Sequence, residues 1–486
     1  MPILNCPIRE QHKRHPNAVA VHLPDNKITY AQLDIHVSSR EKELKSQGIA
    51  MNDSVAFCDD NSLSLIVSLF AIVRIGAIFC PLSHRLTHDE IKSLLSRTGI
   101  NTLWHASKLI IEGVNSLTLN DDFLENQSDS SSNSTSNDDT QASANIVLNN
   151  AIAATIIFTS GSTGYPKATV HSLNNHYYSA LGSQSVVKLN ESDCWLASLP
   201  INHIGGLAII MRCFIAGASI ALVDRKNLLN SFQQYPITHA SLVPTQLFRL
   251  LQQYFHENKT KAITSNPLSL KYLLLGGAPI STSLLKRTSV LGLNVFHSYG
   301  LTEMCSQVAT TSAQKHSFAE PLPYRQWRLE NDEIVLAGKT LFLGYMVEGK
   351  IQSPCHEGWF YSNDLAQVTP DGLRITGRKD NVFIVGGENY QPEIIEKTIM
   401  EYPMIDNVII VGVTEDEWGT IPVAFIDWQQ SPEIPALIDY LTKKVDRIKI
   451  PKHFLDWPIK TSELLKPNRK QFEQQAKNMI ANTKPQ

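Results

Sequence analysis

The residues best suited to chemistry form one segment, from Thr155 to Lys167. It begins with an apolar stretch typical of a strand and continues into a loop of glycine and hydroxyl residues that ends at a lysine. Glycine lets backbone N–H groups approach an anion closely, hydroxyl groups add donors, and lysine adds positive charge. These groups belong to Thr159, Ser160, Gly161, Ser162, Thr163, Gly164 and Lys167. The segment therefore predicts a phosphate-binding loop.

This loop is not a Walker A motif, because the spacing GxxxxGKS or GxxxxGKT is absent. A plain surface turn would explain any short run of glycine and serine. The full string from Thr159 to Lys167 is rare by chance, so we favour the phosphate loop over the turn.

The string resembles the pyrophosphate loop of the adenylate-forming superfamily, which includes acyl-CoA synthetases, luciferases and peptide-synthetase adenylation domains. Two more of its motifs follow in the same order. A stretch similar to its adenine-binding loop contains Gly276, Gly277 and Ala278. A stretch similar to its YGxTE motif begins at Tyr299. The resemblance implies that Tyr299 stacks on adenine, that Thr302 contacts the α-phosphate, and that Glu303 helps to hold Mg²⁺.

Further matches lie closer to the C-terminus. Asp364 stands where the superfamily has the ribose-binding Asp of a TGD motif, although Ser362 and Asn363 replace its Thr and Gly. The stretch that contains Arg378 and Asp380 is similar to the GRxD segment. The resemblance implies that Arg378 meets the ribose and that Asp380 is the hinge between two domains. It also implies that the loop with Gly386 and Gly387 lines the pantetheine tunnel.

The last match concerns the lysine that serves adenylation in the superfamily. Lys466 and Arg469 fit the motif GKxxR, with Leu465 in place of its glycine. Lys460 is a rival, because the preceding stretch holds about one extra residue. We favour Lys466, since Arg469 keeps the spacing of the motif.

Residues 166–217 resemble the o-succinylbenzoate–CoA ligases of menaquinone biosynthesis more than the fatty acyl-CoA synthetases. That acid carries two carboxylates, of which one reacts and the other must be held by a fixed cation. Arg212 is our candidate, directly or through water, and a surface-paired helix arginine is the alternative. His203 is a candidate gate or lining residue of the acyl pocket, and a structural histidine is its alternative.

The resemblance implies an enzyme that uses ATP and Mg²⁺ to make an acyl-AMP and then passes the acyl group to coenzyme A. An aryl- or fatty-acid–CoA ligase of another specificity is one alternative. A non-catalytic nucleotide-binding homologue is another, although both Glu303 and a candidate lysine are present. The family fold hosts several chemistries, so the acid must be argued separately.

The elements that must position these residues alternate between helix and strand, which predicts an α/β fold with mostly parallel sheets. A helix is expected within residues 29–48 and another at 63–75, followed by a buried strand at 77–82. With 486 residues the chain is too long for one core. We expect a large AMP-binding domain at 1–379, with a disordered serine-rich loop at about 125–145, and a small mobile α+β lid at 380–486.

The composition limits the classes of molecule that this protein is expected to bind. The formal net charge of −3 gives no global basic field for nucleic acid. The seven cysteines are scattered and contain no CxxC pair, which indicates reduced thiols in a cytoplasmic protein rather than disulfides or zinc. Ser68, Arg74 and Gly76 interrupt the longest apolar run, so no integral membrane segment is expected. The predicted partners are a small-molecule acid, ATP and CoA, and a homo-oligomer stays open.

Overall fold

The computed structural model describes most of the chain, but several predicted features lie outside the described part. Described are residues 4–121, 124, 147–148, 151–159, 166–223, 227–258, 266–277, 280, 282–312, 315, 317–385, 388–415, 419–458 and 469–481. Outside it lie the serine-rich segment at 125–145 and five predicted loop residues at 160–164. Ala278, Gly386, Gly387, Lys460 and Lys466 also lie outside it.

Two eight-stranded sheets dominate the N-terminal part. In spatial order, the first large sheet contains Lys350–Gln352, Gly344–Val347, Lys167–Ser172, Ala153–Thr159, Ile78–Ser83, Ser54–Asp59, Thr102–His105 and Asn115–Ser116. The second large sheet contains Ser306–Ser312, Val295–Leu301, Tyr272–Gly276, His239–Leu242, Cys194–Leu196, Ser219–Ala221, Val19–His22 and Lys27–Thr29. Both have a parallel centre and antiparallel strands at an edge, as expected for crossover connections through helices.

Smaller sheets complete the strands. A four-stranded antiparallel sheet contains Arg325–Glu330, Glu333–Gly338, Phe360–Thr369 and Gly372–Arg378. A three-stranded sheet near the C-terminus contains Ile405–Glu415, Gly419–Trp428 and His453–Asp456. Two-stranded pairs join Leu4–Asn5 to Val147–Leu148, and Phe383–Val385 to Glu388–Tyr390.

The helices lie between and around these sheets. The α-helices are Pro7–Arg14, Tyr30–Ser46, Leu63–Ile75, His88–Thr98, Leu173–Ser183, Ile204–Ala216, Leu228–Gln234, Pro244–Glu257, Thr282–Val290, Pro392–Met400, Ile434–Thr442 and Arg469–Ala481. Short 3₁₀ turns span Thr302–Met304, Lys379–Asn381 and Arg447–Lys449. Within the described residues, no helix combines the length and apolar content needed to cross a membrane.

Local sequence explains where the central helices begin and end. Tyr30–Ser46 follows Thr29, whose hydroxyl accepts from the Gln32 N–H while the Gln32 side chain accepts from the Thr29 N–H. Leu63–Ile75 follows the Ser62 cap and ends at Gly76, whose φ of 82° suits glycine. The predictions of a helix within 29–48 and of one at 63–75 are therefore confirmed.

The core sits between the two large sheets. One hydrophobic cluster includes Phe57 and Phe79 from the first sheet, Trp195 from the second, and every apolar residue of the helix Leu63–Ile75. Because this helix is buried on all sides, most of its residues are apolar. This burial explains the long apolar run in the sequence. The predicted strand at 77–82 is observed as Ile78–Ser83, packed against this helix.

Residues after Asp380 pack mainly on one another. The helix Pro392–Met400 lies against the long hairpin of the C-terminal sheet, and the helix Arg469–Ala481 covers the strand Ile405–Glu415. Two hydrophobic clusters here contain only residues from position 383 onward. The division into two domains at Asp380 stays a prediction, and this packing is the reason to keep it.

Candidate active site

The predicted phosphate loop connects two antiparallel strands of the first large sheet. Ala153–Thr159 pairs with Lys167–Ser172, and the register places Thr159 directly opposite Lys167. The first strand also pairs in parallel with Ile78–Ser83. The pairing of Thr159 with Lys167 therefore fixes the two ends of the predicted loop side by side in the sheet. Lys167 lies at the end of that loop.

Glu303 belongs to the 3₁₀ turn that follows the strand Val295–Leu301 of the second sheet. Its carboxylate accepts a hydrogen bond of 2.8 Å from the hydroxyl of Tyr345. The Tyr345 ring also lies 5.1 Å from the Nζ atom of Lys167. Tyr345 thus contacts the predicted metal-binding carboxylate and the predicted phosphate-binding lysine at once, and it belongs to the strand paired with Lys167–Ser172.

Thr302 is held from the first sheet by a buried histidine. The Nε2 atom of His171 lies 2.7 Å from the carbonyl oxygen of Thr302 and donates to it. Burial lowers the pKa of His171 to about 4, so the imidazole is neutral at physiological pH. Its neighbour His176 contacts the Thr155 hydroxyl at 2.7 Å and the Cys305 thiol at 3.1 Å. Burial, and then His171, lower the pKa of His176 as well.

A second cluster lies where the second large sheet meets the four-stranded sheet. The Tyr299 hydroxyl donates to one oxygen of Asp364 at 2.7 Å, and Arg378 donates to the other at 3.1 Å. Arg378 also forms a two-bond contact with Asp380, at 3.0 and 2.9 Å. Burial raises the pKa of Asp364, against the opposing effect of Arg378. Burial acts to lower the pKa of Arg378, but the two carboxylates outweigh it and raise that pKa.

The two departures from the TGD motif fit the local backbone. Asn363 has a φ of 59°, the left-handed region in which asparagine is tolerated best after glycine. The Ser362 hydroxyl donates to the Ile334 carbonyl at 2.6 Å and accepts from the Asp364 N–H at 3.0 Å. Asparagine in place of Gly and serine in place of Thr therefore keep Asp364 in position.

The two nucleotide motifs require glycine for different physical reasons. Gly276 ends a strand beside Ser298, and Gly277 follows with a φ of 86° that favours glycine. A Cβ atom on Gly300 would lie 2.1 Å from the Ser306 carbonyl oxygen, so only glycine fits there. Both glycine stretches lie at the carboxyl ends of neighbouring parallel strands, where ligands of open α/β sheets bind.

The helix Ile204–Ala216 carries both acyl-pocket candidates. His203 is exposed and lies immediately before the first turn of the helix. Arg212 is only 2% exposed, which rules out the alternative of a surface-paired arginine. Its Nη2 atom donates to the Ser306 hydroxyl at 3.1 Å, and its guanidinium carbon lies 5.6 Å from the centre of the Trp195 ring.

Arg212 is a buried cation without a carboxylate among the described residues. Its Nε atom is buried and has no hydrogen-bond partner there. Burial lowers the pKa of Arg212 to about 10, so the side chain stays charged at neutral pH. Since an unpaired buried charge is strongly unfavourable, this side chain is suited to receive an anionic ligand.

The site can accept a magnesium ion through a single carboxylate. Within the described residues, no group of three or more His, Cys, Asp or Glu side chains could hold a metal by itself. Magnesium commonly binds through one or two carboxylates together with substrate phosphates and water. Glu303, which accepts from Tyr345 through one carboxylate oxygen, fits that arrangement.

Among the described residues, the structure connects several of the predicted site residues and adds two that sequence reasoning missed. Thr159, Lys167, Thr302 and Glu303 are linked through Tyr345 and His171, and Tyr299 lies three residues before Thr302. Tyr345 and Ser306 were missed. Tyr345 is 42 positions from Glu303, and no local pattern marks that pairing. Ser306 stands three positions after the end of a recognised motif, and that proximity was the available signal.

Comparisons with known proteins show which family this chain is similar to. The model of the family described as AMP-binding enzyme matches residues 8–346. The 2-succinylbenzoate–CoA ligase of Haemophilus influenzae is 30% identical over 451 residues, which cover 92% of each chain.

Two solved structures are similar over nearly the whole chain. A variant of E. coli MenE with bound OSB-AMS is 28% identical, with a TM-score of 0.82 and coverage of 98% of this chain and 99% of that one. The O-succinylbenzoate coenzyme A synthetase (MenE) of Bacillus subtilis, in complex with ATP and magnesium ion, has the same fold. Its TM-score is 0.82 at 24% identity, with 96% of this chain and 99% of that one covered. Because the family model covers well over half of its length, this chain belongs to the AMP-binding enzyme family.

Proposed function

We propose that this chain is an ATP-dependent acid–CoA ligase that converts o-succinylbenzoate to o-succinylbenzoyl-CoA in menaquinone biosynthesis. Membership of the AMP-binding enzyme family supports the reaction, and the 2-succinylbenzoate–CoA ligase of H. influenzae supports the acid. The observation that carries the choice of acid is the buried Arg212, a cation that has no carboxylate partner among the described residues.

The first half-reaction joins the acid to AMP. A carboxylate is a poor electrophile, so its oxygen attacks the α-phosphorus of ATP, and pyrophosphate leaves with the electrons of the broken P–O bond. The enzyme must align the two reactants and neutralise charge at the phosphorus. We assign the alignment to Thr302 and Lys466, and the pyrophosphate contacts to Lys167 and the loop at 160–164.

Glu303 is the residue that would hold Mg²⁺, and the bound ion would supply neutralising charge to the phosphates. The Tyr345 hydroxyl holds one oxygen of Glu303, which restricts the rotamers of this side chain before ATP binds. The resulting orientation lowers the entropy lost when ATP binds.

The nucleoside would lie over the second cluster. Tyr299 would stack on adenine, and Asp364 would accept hydrogen bonds from the ribose hydroxyls. Asp364 is already held between Tyr299 and Arg378, so its carboxylate is preorganised. Arg378 would bind the ribose from the same side, since part of its side chain remains exposed.

The second half-reaction transfers the acyl group. The CoA sulfur attacks the acyl-AMP carbonyl, its proton is released, and AMP leaves with the bonding electrons. We propose that residues 380–486 rotate about Asp380 between the two steps and that Gly386 and Gly387 line the path of the pantetheine arm. Such closure also excludes water from the reactive anhydride.

The acid would present its second carboxylate to Arg212. Pairing with a carboxylate would satisfy the buried guanidinium and hold this group away from the α-phosphate. His203, exposed at the start of the same helix, would line the entrance to the acyl pocket. The seven free thiols fit a reducing compartment, so we propose a cytoplasmic enzyme.

Acid-dependent exchange of pyrophosphate into ATP tests the proposed reaction. We expect o-succinylbenzoate to support exchange in the presence of Mg²⁺, and added CoA to yield the thioester and AMP. Benzoate, a fatty acid and an amino acid serve as comparison acids. Exchange with none of these acids would refute the ligase assignment, and a preference for a comparison acid would refute the assigned substrate.

Replacement of Tyr345 by phenylalanine should raise KM for MgATP at least about ten-fold, because a hydrogen bond to a charged group contributes about 1.5–3 kcal/mol. The ring that lies near Lys167 is kept in this variant. Steady-state kinetics at varied MgATP measure the effect. Tyr402→Phe is the matched control, since it removes a 3.2 Å hydrogen bond to Glu433, far along the chain from the residues assigned to ATP. Similar KM values for the two variants would argue against the role of Tyr345.

Replacement of Arg212 by alanine should raise KM for o-succinylbenzoate far more than KM for ATP, because only the acid loses its cation. Arg212→Lys keeps the charge but loses the planar fork, and we expect an intermediate KM. Arg287→Lys, at an arginine that packs on Phe248 and Phe255, is the control. An equal rise for both substrates would remove Arg212 from the acyl site.

Replacement of Lys466 by alanine should abolish adenylation, because the charge beside the α-phosphate is lost. Thioester formation from supplied acyl-AMP should remain largely intact. Pyrophosphate exchange measures the first step, and CoA consumption from synthetic acyl-AMP measures the second. Lys460→Ala is the control, and the reverse pattern would assign adenylation to Lys460.

A further inference from the structure

A short turn connects the nucleotide side of the site to the acyl side. Glu303, which contacts Tyr345, and Ser306, which contacts Arg212, are only three positions apart. The turn between them follows the 3₁₀ segment Thr302–Met304 and leads into the strand Ser306–Ser312. A shift of this turn would therefore move both contacts together.

The turn is fixed in an unusual backbone conformation. Cys305 and Ser306 have φ values of 53° and 90°, in the left-handed region that residues other than glycine avoid. Such strain persists only where the surroundings impose it, and it is common at ligand-binding sites. Here the Cys305 carbonyl accepts from the Ser179 hydroxyl at 2.5 Å, and the Cys305 thiol contacts His176. These two contacts hold Cys305, and through the backbone they also restrict the position of Ser306.

The Ser306 hydroxyl is the hydrogen-bond acceptor that the described part of the chain offers to Arg212. The Nε atom of the same guanidinium has no partner there, and Trp195 packs near its face. Ser306 itself is partly exposed, whereas Arg212 is buried. The serine therefore lies between the buried cation and the open part of the site.

We propose that Ser306 is a positioning residue for acid recognition: its hydroxyl orients the Arg212 guanidinium so that the free N–H groups face the non-reacting carboxylate. This inference rests on the proposed function, because it assumes that Arg212 binds that carboxylate. Without the hydroxyl, the long arginine side chain would sample several rotamers in the pocket. The acid would then have to order the side chain on binding, which weakens its affinity.

The role is confined to acids with two carboxylates. An acid that lacks the second carboxylate makes no contact with Arg212 and should be insensitive to Ser306. ATP binds on the other side of the turn and should be insensitive too, provided that the turn keeps its shape. A merely structural role would instead change the kinetics of all substrates together.

Three variants separate the hydroxyl from the backbone. Ser306→Ala removes the hydroxyl, and Ser306→Gly removes it while also relieving the left-handed strain. Ser306→Asn keeps an oxygen acceptor and tolerates a positive φ. Ser269→Gly is the matched control, because Ser269 is an exposed serine with a φ of 54° away from the site.

The experiment compares o-succinylbenzoate with 4-oxo-4-phenylbutanoate, which lacks the ring carboxylate, in pyrophosphate exchange. We expect Ser306→Ala and Ser306→Gly to raise KM for o-succinylbenzoate about ten-fold, the effect of one charged hydrogen bond. KM for ATP and for the monocarboxylate should change less than about two-fold, within the error of such coupling. Ser306→Asn should recover part of the loss, and Ser269→Gly should match the unmodified enzyme.

The outcomes distinguish this inference from the proposed function. If the unmodified enzyme does not prefer the acid with two carboxylates, the proposed function and its dependent inference both fall. If the preference exists and survives in Ser306→Ala, only the role of Ser306 is overturned. Equal losses for both acids and for ATP would likewise overturn it, since they indicate a general disturbance of the turn.

Discussion

The hydrogen bond from His171 to the Thr302 carbonyl joins the two large sheets at the point where the site is assembled. On one side of it, the strand Lys167–Ser172 ends the predicted phosphate loop; on the other, the turn after Val295–Leu301 carries Glu303. Because each half supplies only part of the contacts to a nucleotide, their relative position decides whether those contacts can form together. This hydrogen bond fixes that position together with the contact between Tyr345 and Glu303, which also connects the two sheets.

A second feature of the structure is the burial of two arginine side chains. Arg212 and Arg325 are both almost fully buried, and within the described residues neither is paired with a carboxylate. Arg325 is satisfied by the carbonyl oxygens of Gln307, Pro323 and Ser179, so its charge is solvated by the backbone. Among the described residues, the contacts of Arg212 are the Ser306 hydroxyl and the Trp195 ring, neither of which neutralises its charge. The two arginines therefore differ in their hydrogen-bond partners although their burial is alike, and this difference supports the proposed role of Arg212.

The sequence allowed much of this arrangement to be predicted, because the motifs are local. A capping threonine, a left-handed glycine and a continuous apolar run are enough to place the helices Tyr30–Ser46 and Leu63–Ile75. The contact between Tyr345 and Glu303 depends instead on the pairing of strands that are far apart in sequence, which no local pattern encodes. From the sequence alone, it was open whether Asn363 could adopt the backbone conformation of the motif glycine that it replaces. Its positive φ angle shows that it adopts the left-handed conformation.

The two buried histidines behind the site, His171 and His176, reduce the stability of the fold under acid conditions. In the unfolded chain each imidazole would take up a proton below its ordinary pKa of 6.5, whereas burial lowers the folded pKa of His171 to about 4. The unfolded state therefore binds more protons between these values, and folding stability falls as the pH drops through that window. Since His171 and His176 are adjacent, protonation of one disfavours protonation of the other within the fold. Acid would thus destabilise this protein through the two histidines that lie behind the predicted active site, so the pH range in which the fold is stable is set in part by the same residues that support the site.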